Sequence, residues 1–295
     1  IFNSKIEGIE KSDLIILLGT NPRYEATILN SRIRKAYLKN KIEIFSFGDI
    51  GDLTYPYDII NADTNTIKEI TLDNHELSKK ISQAKKPLVI IGQSVLRLKS
   101  APYIFEELKN YLTSINKINS EWNCLNVLSL NASTVGSYDL DIISSNDGSN
   151  PVLEKIKKNN FEVIFLFGQD DLKFNKANEF IIYIGSHGDR GAEMADIILP
   201  GAAFTEQDGY FMNLEGKLQK AYKASYPPGD AKEDWLIINE LSSVIKRHNL
   251  YTDKNQLVVA LMNYLKNEKK TINFQVPDYV FANEKLKVDN IDYYH

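Results

Sequence analysis

Four stretches of the chain are short apolar runs that end on a glycine: SDLIILLG at 12–19, KKPLVIIGQS at 85–94, FEVIFLFG at 161–168 and EFIIYIG at 179–185, the glycines being Gly19, Gly92, Gly168 and Gly185. After the first run, Thr20 or Asn21 can cap a helix, and Pro22 suits its first position. YEATILNSRIRKAYLK (24–39) then has helical periodicity, with Ile28, Ile33 and Leu38 among its apolar positions and basic residues late, where the helix dipole favours them. KIEIFSFG (41–48) is the next strand. Strand, helix and strand in this order make a βαβ unit, which dictates parallel pairing and a right-handed crossover. In open sheets of this kind ligands bind at the carboxyl ends of the strands. A glycine there lets the backbone approach a ligand, and it equally serves a plain strand-to-loop turn.

The rhythm restarts at residue 85. APYIFEELKNYLTSI (101–115) is an amphipathic helix and EWNCLNVLSLNASTVGSYDL (121–140) is expected to begin as another. SSNDGSN (144–150) is a loop by composition, PVLEKIKK (151–158) a short helix and ADIILP (195–200) the last strong strand. Residues 201–222 lose helical periodicity and read as an extended loop with a hairpin-like turn at Glu215-Gly216. YPPGDAKEDWLIINELSSVIKR (226–247) gives a double-proline stop, then a helix with an apolar stripe of Trp235, Ile238, Leu241 and Ile245. QLVVALMNYLK (256–266) is a further helix, and 267–295 is a tail expected to lie on a surface of this protein or of a neighbour. The expected class is α/β: two Rossmann-like lobes with mainly parallel sheets and an extended C-terminal tail. Residues 1–84 form the first lobe and 85–194 the second. Residues 195–252 form a return segment on the first lobe, and 253–295 a helix and tail.

Composition narrows the functions. The 295 residues, 43% hydrophobic and 25% charged, suffice for a sizeable core. A net charge of −4 does not favour a phosphate backbone, so no nucleic-acid partner is expected. No apolar run approaches the roughly 20 residues of a membrane helix, so no direct span is expected. A single cysteine, Cys124, excludes an internal disulfide, a CxxC zinc site and a cluster held by four thiolates. The four histidines (His75, His187, His248, His295) are far apart and none sits in HExxH, so no metal site is expected. The chain starts on Ile1 rather than Met, which reads as a processed, trimmed or split chain whose beginning lies elsewhere.

No catalytic set can be assembled from spacing. GxGxxG, GxxxxGK[ST] and GxSxG are all absent. GSHGDRG (185–191) can cradle an anion with Arg190 as counter-charge, or form a tight connection to ADIILP; the second reading is favoured. Cys124, flanked by apolar residues, reads as a buried, inert thiol. Glu206, Asp208 and Glu215 can supply a general acid or a hard-metal site, but nothing nearby fixes a partner, and solvated loop carboxylates are favoured.

Several strings carry a resemblance. SDLIILLGTNPRYEATILNSRIRKAYLKN, DLTYPYD (52–58), KKPLVIIGQS, VIFLFGQD, FIIYIGSHGDRGAEMADIILPGAAFTEQDGYFMNLEGKLQKA and PPGDAKEDWLIINELSSV run in the same order as segments of the large iron–sulfur (75 kDa) subunits of mitochondrial respiratory complex I. The chain resembles that family over about residues 1–250. The same half of that subunit is related to molybdopterin oxidoreductases, which implies a molybdopterin-oxidoreductase-like fold. In those enzymes a GxNP turn and an ADxxLP…E…G…N-x-EGR-x-Q segment help build a pterin–guanine-dinucleotide pocket. The matching positions here are Gly19, Asn21 and Pro22, then Asp196, Leu199, Pro200, Glu206, Gly209, Asn213, Glu215, Gly216 and Gln219, with Lys217 in place of the arginine.

The resemblance implies a structural portion of that subunit, on the matrix side of the inner membrane. The ancestral pocket is expected empty and the chain free of cofactors. The iron–sulfur clusters are expected in a partner or in an amino-terminal half, which would be the first partner, with other complex I subunits beyond it. The alternative is a pterin- or nucleotide-binding domain that works with a separate cluster-bearing chain. An independent nucleotide-binding enzyme is poorly supported, because no phosphate fingerprint is present.

Overall fold

In the computed structural model, which describes residues 1–140, 142, 151–158, 160–170, 174–267 and 281–288, the run LIILL is strand β1 (Leu14–Leu18), buried at every position. A strand with no wet face needs neighbours on both edges and cover on both faces. β2 (Glu43–Phe47) and β3 (Asp58–Ile60) lie on one side of it; β4 (Pro87–Gly92) and β5 (Leu125–Leu128) lie on the other. The order is β3-β2-β1-β4-β5 and every pairing is parallel, with Leu14 opposite both Glu43 and Pro87. The two faces make two clusters. Leu14, Ile16, Leu18, Val89 and Ile91 meet Ile67, Leu77 and Ile104 from helices Thr64–Thr71, Glu76–Gln83 and Ala101–Ser114. On the other face Ile15, Leu17, Leu88 and Ile90 meet Leu29 and Ile33 from helix Thr27–Asn40. Each such side chain contributes about 1.5–3 kcal/mol by leaving water.

The chain divides into two compact units. One comprises Ile1–Gly136, Met212–Lys217 and Gln275–His295; the other comprises Ser137–Phe211 and Leu218–Phe274. The lobe boundary expected at 84/85 therefore falls inside one sheet, because β4 is a direct neighbour of β1. LNVL, expected to open a helix, is strand β5. A short apolar run does not declare its period, and here the free edge of β4 supplied a ladder. SSNDGSN (144–150) lies outside the described residues. The described part of the tail packs on the first unit. Ser100 donates its N–H to the Glu284 carboxylate (2.8 Å), the Leu286 N–H donates to Ala62 O (2.8 Å), and Phe281 meets Tyr103 edge-to-face at 5.2 Å.

The second unit holds a parallel three-stranded sheet, β6 (Val163–Phe167), β7 (Phe180–Gly185) and β8 (Ile197–Pro200), in that order. Of the expected return segment, β8 joins β7 here, and only Met212–Lys217 belongs to the first unit. β9 (Gly209–Met212) and β10 (Leu218–Ala221) pair around the expected turn. The helix expected after the double proline is Asp234–Lys246, but its buried positions are Ile237, Asn239 and Ser242. Of the expected apolar stripe, Ile238 and Ile245 are exposed. The Asn239 amide sets this rotation: it donates to Tyr251 O (2.9 Å) and accepts from Tyr251 N–H (3.0 Å), drawing a polar face inward. Helix Lys254–Asn267 follows, with Lys254 paired to Glu233 at 2.5 Å.

Candidate functional site

β1 and β4 leave the sheet in opposite lateral directions, so the crevice at their carboxyl ends is the place where an open α/β sheet takes a ligand. The turn LGTNPRYE fills it. Gly19 sits at φ +54°, and a Cβ there would stand 2.4 Å from Val95 Cγ2. Its carbonyl accepts the Ser94 hydroxyl at 2.5 Å. On the facing strand, a Cβ on Gly92 would stand 2.0 Å from Gly19 O.

Asn21 caps the short helix Pro22–Glu25. Its Oδ1 accepts from Arg23 N–H (3.0 Å), and its Nδ2 donates to Ile50 O (2.7 Å), tying the turn to the loop after β2. The Glu25 carboxylate folds back and accepts from Asn21 N–H (2.9 Å) and the Thr20 hydroxyl (2.7 Å). The N–H groups of Tyr24 and Glu25 go to Asn21 O, and that of Ala26 to Pro22 O; Pro22 has none. From Asn21 to Ala26 every backbone N–H already has an acceptor. An anion entering this turn would meet a carboxylate where it needs donors. Between Asn21 and Ala26 the turn thus offers a phosphate no free backbone N–H in this conformation. Thr20 and Asn21 are both buried.

The other candidate positions fall in two groups. Asn213, Glu215 and Gly216 share one turn of the first unit. Asn213 Oδ1 accepts from the N–H groups of Glu215 (3.1 Å) and Lys217 (2.8 Å), and the Glu215 carboxylate accepts from Ile6 N–H (3.0 Å). Asp196, Pro200 and Glu206 lie in the second unit. The Glu206 carboxylate accepts from Ala203 N–H (2.9 Å), Asp208 from Lys223 N–H (2.9 Å), and Pro200 O from Lys232 N–H (3.1 Å). Glu206, Asp208 and Glu215 are thus half-buried loop carboxylates, each of which also accepts from a backbone N–H. GSHGDRG forms a tight connection, with the Tyr183 hydroxyl donating to His187 O at 2.6 Å and Asp189 accepting from Arg190 N–H at 2.9 Å. Cys124 is buried, and burial pushes its thiol up to about 12.

Asp196 joins β8 to β7. Its carboxylate pairs with Lys176 (2.7 Å) and accepts from Ile181 N–H (2.8 Å). The Lys176 contact first, then the Ile181 N–H, hold its carboxyl below the usual carboxylate range. A carboxyl lowered in the folded state adds stability that is complete above its unfolded value, about 3.9, and vanishes as pH falls through the folded value. Urea midpoints of wild type and Asp196→Asn should therefore differ at pH 7 and converge toward pH 3. A difference as large at pH 3 as at pH 7 would rule out the ionised carboxylate as its source.

The residues that close the crevice, Glu25, Ser94 and Val95, were not legible as site residues. The one signal for Glu25 is an acidic residue shortly after an Asn cap, close to the spacing of a capping box. A hollow of about 400 Å³ lies at the opposite, amino end of the strands, between Lys11, Asp13, Lys41, Glu43, Lys85 and Lys86. Asp13 there accepts the N–H groups of Lys85 (2.6 Å) and Lys86 (2.8 Å).

The five-stranded sheet and its filled crevice define an open, doubly wound α/β protein with a Rossmann-like half. Within that class, residues 1–244 match the molybdopterin oxidoreductase family, and the chain belongs to it. It is 42% identical over 266 residues to an NADH-ubiquinone oxidoreductase 75 kDa subunit of Reclinomonas americana, covering 89% of this chain and 38% of that protein. It is 40% identical over 256 residues to a mitochondrial NADH-ubiquinone oxidoreductase 78 kDa subunit of Candida albicans (86% and 34%). It is 37% identical over 263 residues to the corresponding mitochondrial 78 kDa subunit of Neurospora crassa (87% and 34%). The chain thus spans little more than a third of the length of these relatives.

Proposed function

We propose that this chain is a non-catalytic, structural portion of a 75 kDa-type subunit of NADH:ubiquinone oxidoreductase. It belongs to the peripheral arm, on the matrix side of the mitochondrial inner membrane. It supports the part of the subunit that carries the iron–sulfur clusters, and electrons pass outside it. The observation that carries this reading is the family turn Gly19-Thr20-Asn21-Pro22, in which the Asn21 N–H and the Thr20 hydroxyl donate to Glu25 and the Asn21 side-chain amide donates to Ile50 O. Similarity to such subunits over 86–89% of the chain supports the assembly to which it is assigned.

Native-gel separation of solubilised mitochondrial membranes, with this chain tracked by peptide mass spectrometry, tests the proposal. The expected result is co-migration with NADH-dehydrogenase activity in one large complex. Migration as a small soluble species would sink it. The retained Gly19, Asn21 and Pro22 favour a second reading, a pterin- or nucleotide-binding domain with a separate cluster-bearing partner. Stoichiometric molybdenum or nucleotide in the purified chain would establish that one instead.

A further inference from the structure

Among the described residues, the sheet β6-β7-β8 is covered unevenly: one face is buried along β6 and β7 but half-exposed at Ile198, and the other is buried only at Ile184. Ile164, Leu166, Ile181 and Tyr183 are buried with Ile156 of helix Pro151–Lys157 and with Ala192 and Met194. The alternate residues face the other way. Val163, Phe165 and Phe167 are 48%, 39% and 49% exposed, Phe180 is 42% and Ile197 is 46% exposed. The register sets them side by side: Val163 opposite Phe180, Phe165 opposite Ile182, and Ile182 opposite Ile197. The rings of Phe165 and Phe167 stack at 6.3 Å. Parallel sheets carry helices on both faces, as the first unit does. A contiguous apolar face left open in a parallel sheet marks a contact surface. Three strands about 4.8 Å apart span about 10 Å, the width of one helix.

We propose that this face seats one amphipathic helix from the portion of a 75 kDa-type subunit that lies outside this chain; the inference rests on the assignment above. Two observations choose the occupant. The greater part of the relatives' length lies outside the match, since only 34–38% of it is covered. The open face carries no charged residue at Val163, Phe165, Phe167, Phe180, Ile182 or Ile197, so it selects an apolar stripe rather than a charged peptide. Phe165 and Phe167 are the anchors, being aromatic and stacked on each other.

The test is thiol protection in the assembled complex. Cys124 is buried with its thiol pushed up to about 12, so it stays silent to maleimide in the folded chain. Phe165→Cys, with Val163→Cys as a second probe, adds one thiol on the open face. Labelling is expected to be at least about tenfold slower in the complex than in the chain alone, because a seated helix excludes the reagent. A photoreactive group at position 165 is expected to cross-link to the cluster-bearing portion of the subunit. Equal labelling rates at both positions, or a cross-link to a second copy of this chain, would overturn the proposal. If the chain is absent from the complex on the native gel, the assignment itself falls; a chain present but freely labelled overturns only the docked helix.

Discussion

Replacing Gly92 with alanine will destabilise the first unit by about 3 kcal/mol or more, at or beyond the upper end of ordinary overpacking. The added Cβ would stand 2.0 Å from Gly19 O, 2.7 Å from Thr20 Cβ and 2.8 Å from the Gly19 carbonyl carbon. Two of those atoms are backbone, in the turn after the central strand, and cannot swing aside like a flexible side chain. Gly92 has φ −80° and ψ 162°, which any residue adopts, so the effect is steric and not conformational. Relief requires β1 and β4 to part at their carboxyl ends, where Leu17 faces Ile90 and Leu18 faces Ile91 in a dry core. Ser94→Ala removes the hydroxyl bonded to the same carbonyl and should cost only about 1 kcal/mol. Urea unfolding followed by Trp122 fluorescence, in a Trp235→Phe background, reads both. Trp122 packs on both clusters of this unit and donates to Pro87 O at 2.9 Å. A Gly92→Ala loss no larger than that of Ser94→Ala would show that the crevice has room.

The ease of reading this chain follows from where the information lies. LIILL, PLVII, VIFLF and FIIYI declare themselves because a parallel strand packed among neighbours must be apolar along its length. Which strand neighbours which is not written in such runs. The boundary expected at 84/85 fails for that reason: β1 ends at Leu18 and β4 begins only at Pro87, yet the two pair directly, with β2, β3 and four helices between them in the chain. LNVL hides because four residues cannot establish a period. The site divides in the same way. Gly19, Asn21 and Pro22 stand together in one string and are found together. The role of Glu215 is set by Ile6 N–H, 209 positions away, which no local spacing predicts. The acidic loop residues invite a reading as acids or metal ligands only while the backbone they hold is out of sight.

Asn21→Ala will cost about 2–4 kcal/mol, and the reason separates a structural turn from a binding one. About 1 kcal/mol is the lost cap on Arg23 N–H. A further 1–3 kcal/mol, roughly, is the Ile50 carbonyl left without its donor in a buried position. Asn21→Asp keeps the cap but turns a carboxylate oxygen toward Ile50 O and adds a second negative charge beside Glu25. Its loss should match or exceed that of alanine at pH 7 and shrink as the solution is acidified toward pH 4, where a crowded carboxyl takes up its proton. If Asn21 instead served a ligand in the crevice, both variants of the ligand-free chain would unfold within about 0.5 kcal/mol of wild type, as replacements outside a structural network do. The same urea titration at pH 7 and pH 4 decides between the two. A large loss for both at pH 7, partly recovered for aspartate alone at pH 4, means that the turn kept from the family now holds β1 to the loop after β2.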